Sequence, residues 1–145
     1  MAEALLKSLG AGRYSAASAG SHPAGSVHPA AIRLLQKERL FTNELRSKSW
    51  DEFSGPLAQP VDIVITVCDN AAGESCPVWN GDPLTVHWGI PDPAAVSGPD
   101  SVVDAAFEKA YLRLRRRVDA LLSVDIDGLS RQELRAAISR IAERA

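Results

Sequence analysis

The chain has 145 residues, 46% of them hydrophobic and 23% charged, with a formal net charge of −2. That is enough for one domain burying roughly 70% of its unfolded surface, and the charge balance gives no electrostatic reason to expect nucleic acid or an anionic membrane as partner. No run approaches the ~20 apolar residues of a membrane span, and Met1 to Gly10 lacks the basic start and long apolar core of a secretory signal.

Met1 to Leu9 reads as a helix with Leu5, Leu6 and Leu9 on one face and Gly10 as its terminator. It opens uncapped, with a charged amino group at the positive end of its own dipole, as a cut helix would. Arg13 to Ser21 is a strand candidate built of small residues, and His22-Pro23 and Val27-His28-Pro29 punctuate the loop after it. Pro29 suits the first turn of a helix carrying Ile32, Leu34 and Leu35. Ser49-Trp50-Asp51-Glu52 has the form of a capping box opening a short helix through Phe53.

Val61 to Val67 is nearly continuous and β-branched, the pattern of a strand covered on both faces of a parallel sheet. Leu84 to Trp88 is the next strand. Asp100 or Ser101 is expected to cap the longest helix, whose apolar positions Val103, Phe107, Ala110, Tyr111, Leu114, Val118 and Leu121 keep helical spacing. Arg113, Arg115, Arg116 and Arg117 are read as its solvated face. Ser130-Arg131-Gln132-Glu133 caps the last helix, which carries Leu134, Ala137, Ile138 and Ile141. Strands alternating with helices predict an α/β layered fold with a small parallel sheet, one domain over 1–145. Ligands in such folds sit at the carboxyl ends of the strands, here the loops after Val67 and after Trp88.

Both cysteines of the chain, Cys68 and Cys76, fall in the first of those loops. Two are too few for a disulfide-stapled secreted scaffold and suit a reducing cytoplasm. From spacing, two readings stand open. One is a buried core cysteine plus an incidental loop thiol. The other is a switchable disulfide, with Gly73 letting the loop fold back. Seven intervening residues are not a spacing typical of zinc fingers or ribbons, so no metal is expected, and no cofactor either. Trp50, Trp79 and Trp88 are expected to pack. His22, His28 and His87 show no partner in sequence, and His87 is expected to hold its loop by hydrogen bonding. Asp92, before Pro93, is by itself a turn residue.

The segment Val67-Cys68-Asp69-Asn70-Ala71-Ala72-Gly73-Glu74-Ser75-Cys76-Pro77-Val78-Trp79, with His87-Trp88-Gly89 and Asp92-Pro93-Ala94 after it, resembles the arsenate reductases built on the low-molecular-weight tyrosine phosphatase fold. Ser18-Ala19-Gly20, His28-Pro29-Ala30-Ala31 and Arg46-Ser47-Lys48-Ser49 extend the resemblance over essentially the whole chain. It implies a relay of three thiols. A phosphate-loop cysteine attacks arsenate, Cys68 attacks that cysteine, and Cys76 moves the disulfide to Cys68–Cys76, where thioredoxin or glutathione with glutaredoxin reduces it. Asp92 is then the general acid, arsenate the substrate and the cytoplasm the location. Glu3 and Ser18 match positions that help bind an alkali cation in some members. Lys48 falls near an acidic ligand of those members, and its ammonium would substitute for the cation. The plainer expectation is a helix-surface Glu3 and a solvated Lys48. A low-molecular-weight protein tyrosine phosphatase is the alternative activity, and a non-catalytic binding or thiol-disulfide module a third.

No Cys-x5-Arg loop occurs here: the sixth residue after Cys68 is Glu74, and after Cys76 it is Asp82. In the family a central first strand and that loop precede the helix matched by Met1 to Leu9. The expectation is that Met1 is an internal methionine of a protein longer by about 15–20 residues, and that the 145-residue chain alone does not reduce arsenate.

Overall fold

In a computed structural model, the described residues are 1–67 and 77–144. Helix α1 (Ala2–Leu9) buries Leu5 completely and ends at Gly10, whose N–H donates to Leu6 O at 2.9 Å. Gly10 is not left-handed. A Cβ there would stand 2.5 Å from Leu6 O and 3.1 Å from the Tyr14 ring, so close approach is what requires glycine.

The stretch Arg13 to Ser21 does not form the expected strand. Among the described residues its one strand-like pairing is a parallel bridge of Gly20 to Ser49, with Gly20 N–H on Lys48 O and Trp50 N–H on Gly20 O, both 3.1 Å. Serines and alanines give too little side-chain surface to hold a longer ladder. Helix α2 (Pro29–Lys37) begins with Pro29 as expected and buries Ala30, Ala31, Leu34 and Leu35. His28 has two partners that sequence did not reveal. Its Nδ1 accepts from Ala30 N–H at 3.2 Å, and its ring stacks on Phe107 at 4.6 Å. After α2, Ser49 caps a 3-10 turn, Trp50–Phe53, by accepting from Asp51 N–H. Glu52 does not close the expected box; Arg46 takes its carboxylate in a two-pronged ion pair.

Strands β1 (Ile63–Thr66) and β2 (Leu84–His87) pair in parallel, Ile63 with Leu84 through Thr66 with His87. Among the described residues they form a two-stranded sheet. β2 alternates buried Leu84 and Val86 with exposed Thr85 and His87. All four β1 residues are half-buried, so the strand is covered less than its apolar run predicts. Ile63, Ile65 and Val67 lean on the core without entering it, because β1 packs chiefly on β2.

Helix α3 (Asp100–Leu122) buries Phe107, Ala110, Tyr111, Leu114, Val118 and Leu121, and contacts α1, α2 and the turn Pro93–Ala95. Its N-cap is Pro99; Asp100 opens the first turn, where a carboxylate suits the helix dipole without capping it. Arg116 is exposed and Arg113 and Arg115 half-buried, but Arg117 is 5% exposed, against the expectation for the basic run. Position 117 lies three residues after Leu114 and four before Leu121, inside the apolar stripe. Helix α4 (Arg131–Arg144) packs on β2 and α3 and has the expected box: Ser130 N–H and Oγ–H donate to Glu133 Oε2 at 2.9 and 2.6 Å. Among the described residues no helix is long and apolar enough to cross a membrane.

Candidate active site

The parallel ladder continues past both strands. Trp88 N–H donates to Thr66 O at 2.8 Å and Ile90 N–H to Val67 O at 2.6 Å. Val67 precedes Cys68, and Ile90 stands two residues before Asp92. The residue just before the two-cysteine segment is therefore tied to the start of the Asp-Pro loop. Cys68 and Cys76 themselves lie outside the described residues. After Cys76 in the sequence, Trp79 bridges Ser54, Val78 O accepts from Gly55 N–H at 3.4 Å and Asn80 O from Val61 N–H at 3.2 Å.

His87 ties the two strand ends together: its Nδ1 lies 2.7 Å from Thr66 Oγ1. Trp88 is 2% exposed, and its indole N–H donates to Ile138 O of α4 at 3.2 Å. Trp50 and Trp79 are half-buried; the Trp79 indole nitrogen finds no partner among the described residues. Asp92 is exposed, and its Oδ1 accepts from Ala94 N–H at 2.9 Å, capping the turn Pro93–Ala95. One carboxylate oxygen is thus committed to the turn, in a side chain that is exposed.

A charged cluster forms at α1. Glu3 and Lys48 are 5% and 8% exposed, where a helix-surface Glu3 and a solvated Lys48 were expected. Glu3 Oε2 accepts from Ser18 N–H at 3.0 Å, Ser18 Oγ–H at 2.6 Å and Lys48 Nζ at 3.1 Å, while Oε1 takes Lys7 Nζ at 3.0 Å. Lys48 Nζ also reaches Arg46 O at 3.4 Å. Burial works to raise the Glu3 pKa, but the bonds from Ser18, Lys7 and Lys48 outweigh it and hold the carboxyl at about 2. The same carboxylate raises the pKa of Lys7. An ammonium already sits against the single carboxylate, so the donor set does not fit an alkali cation; the positive charge beside Glu3 is the chain's own.

The profile of the low molecular weight phosphotyrosine protein phosphatase family matches residues 1–137. The chain belongs to that family. Within the low-molecular-weight phosphatase family it is similar to an arsenate reductase of Halalkalibacterium halodurans, 30% identical over 118 residues that make up 81% of each chain. A solved structure described as an arsenate reductase in reduced state matches with a TM-score of 0.61 at 24% identity, covering 84% of this chain and 85% of the other. That second likeness bears on the fold, and the α/β architecture with its small parallel sheet is the family's.

Proposed function

We propose that this protein takes part in reducing arsenate to arsenite through a cysteine disulfide relay, in the cytoplasm, as one domain. The observation that supports the reading most directly is the Ile90–Val67 hydrogen bond, which tethers the residue preceding Cys68 in sequence to the loop that presents Asp92. Phosphomonoester hydrolysis needs no disulfide relay, whereas the sequence carries Cys68 and Cys76.

In this reading a first cysteine, supplied by a Cys-x5-Arg loop that the 145 residues do not contain, forms a bond to arsenic and expels water, with Asp92 protonating the leaving oxygen. Cys68 attacks the sulfur of that cysteine. The sulfur–arsenic electron pair stays with arsenic, arsenite leaves, and two thiolates have become one disulfide. Cys76 then attacks Cys68, releasing the first cysteine as thiolate and leaving Cys68–Cys76. A dithiol or two glutathiones return the two electrons and regenerate both thiols. Lys48 contributes a fixed positive charge beside Glu3, held by the fold.

The test starts from the protein as its native host produces it: intact mass and N-terminal sequence, then arsenite formation with thioredoxin or with glutathione and glutaredoxin. Cys76→Ser is expected to abolish turnover with either reductant. Efficient hydrolysis of an aryl phosphate, undiminished by Cys76→Ser, would make the protein a phosphatase instead.

A further inference from the structure

We infer that Arg117 is a positioning residue for Asp92: its buried guanidinium gathers the Trp88 and Gly89 carbonyls and so fixes the reversal by which β2 runs into the Asp-Pro loop. The inference rests on the reading of Asp92 as the acid, but its geometry stands apart from arsenate chemistry. Nη1 donates to Trp88 O and to Gly89 O, the latter at 3.3 Å, and Nη2 donates to Ala142 O near the end of α4 at 3.2 Å.

Consecutive carbonyls of an extended strand point to opposite sides. Two of them meet one nitrogen here because the chain turns at Gly89, whose φ is +29°. Ile90 N–H then bonds Val67 O, Ile90 is buried, and two residues later Asp92 caps its turn against α3.

A residue that only filled space at 117 would be apolar. The guanidinium is instead buried on carbonyls, with no carboxylate within ion-pair distance among the described residues and with Nε unpartnered there. Burial, with Arg113 and Arg116 nearby, pushes its pKa down. Holding a cation this way is expensive. Its return is directional, since a rigid fork fixes carbonyl orientations that a methylene chain cannot. The Ala142 carbonyl adds the negative end of α4, which favours the charge and couples that helix to the loop.

The experiment is amide hydrogen exchange on the full chain, comparing Arg117→Met and Arg117→Lys with the parent. Ile90 and Ala94 report the loop; Leu84 and Trp88, bonded to Asp62 O and Thr66 O, report the parallel ladder. Arg117→Met is expected to speed exchange at Ile90 and Ala94 by about tenfold or more relative to Leu84. Arg117→Lys, which keeps the charge but not the fork, is expected to recover part of it. Equal acceleration at all four amides, or none at Ile90 and Ala94, would overturn the inference. Should Arg117→Met fail to fold, Arg117→Lys decides alone by the same local-against-uniform criterion. In host-produced protein, Arg117→Lys is expected to lower kcat for arsenite formation with KM unchanged. If the parent protein makes no arsenite, the reductase reading fails while the exchange data still judge Arg117.

Discussion

Lys48→Met removes the ammonium from a carboxylate that the fold has already taken out of water. Breaking a buried pair on one side costs about 3–5 kcal/mol; the lower figure applies, since Ser18 and Lys7 keep their bonds to Glu3. The pKa gives the sum that Ser18, Lys7 and Lys48 together contribute, of which Lys48 is one part. A carboxyl moved from 4.5 to about 2 on folding stabilises the folded state by about 3 kcal/mol at neutral pH. The folded-state value is depressed, so this contribution is complete above pH 4.5 and is lost as the pH falls through 2. By pH 3 about 2 kcal/mol of it is gone.

Urea unfolding at pH 7 and pH 3 is the assay. With a slope of about 2 kcal/mol per molar, Lys48→Met is expected to lower the midpoint at pH 7 by roughly 1.5 M. The drop between the two pH values should also be smaller than in the parent. Glu133, held down by Ser130, also contributes to acid sensitivity and cancels in the difference; Glu52, held down by Arg46 and further by Lys48, loses the Lys48 contribution on substitution, which narrows the pH drop in the same direction. A midpoint change under about 0.5 M at pH 7, with an unaltered pH dependence, would mean the pair is worth no more than an exposed one, and the argument from burial would be wrong.

Asp92→Asn keeps an oxygen that can accept from Ala94 N–H but has no proton to give. Stability should hold within about 0.5 kcal/mol, turnover of host-produced protein should fall by about 10²–10⁴, and thiol counting after mild oxidation should still find a Cys68–Cys76 disulfide. Trp88→Phe keeps the ring in the core but loses the bond to Ile138 O. It should cost about 1–2 kcal/mol by urea unfolding.

Among the described residues, the longest helix and β2 were readable because each carries a period that its burial repeats, 3.6 residues from Phe107 to Leu121 and two from Leu84 to His87, while β1 was readable from its β-branched run. Pro29 and the Ser130–Glu133 box marked ends through local chemistry. Arg13 to Ser21 misled because a run of small residues carries no face. Glu3 and Lys48 stand 45 residues apart, so no local pattern joins them; only the resemblance pointed to the positions, and burial decided against solvated side chains. Arg117 was legible and was missed. Reading four arginines as one block hid that residue 117 alone shares the register of Leu114 and Leu121. At the site, Asp92 and His87 sit where the strand-end rule puts them, whereas the Ile90–Val67 tether is a backbone bond that side-chain patterns do not encode.

The packing of α1 against α3 sets a timetable for synthesis. Helix α1 has eight residues, too few to persist in water by itself, and its main helical partner, α3, begins at Asp100. A ribosome adding about 5–20 residues per second needs roughly 5–20 s to pass from one to the end of the other. Throughout that interval Leu5, later wholly enclosed, remains in the open beside Leu6 and Leu9. The nascent chain thus offers chaperones a leucine-rich handle that disappears once α3 leaves the exit tunnel.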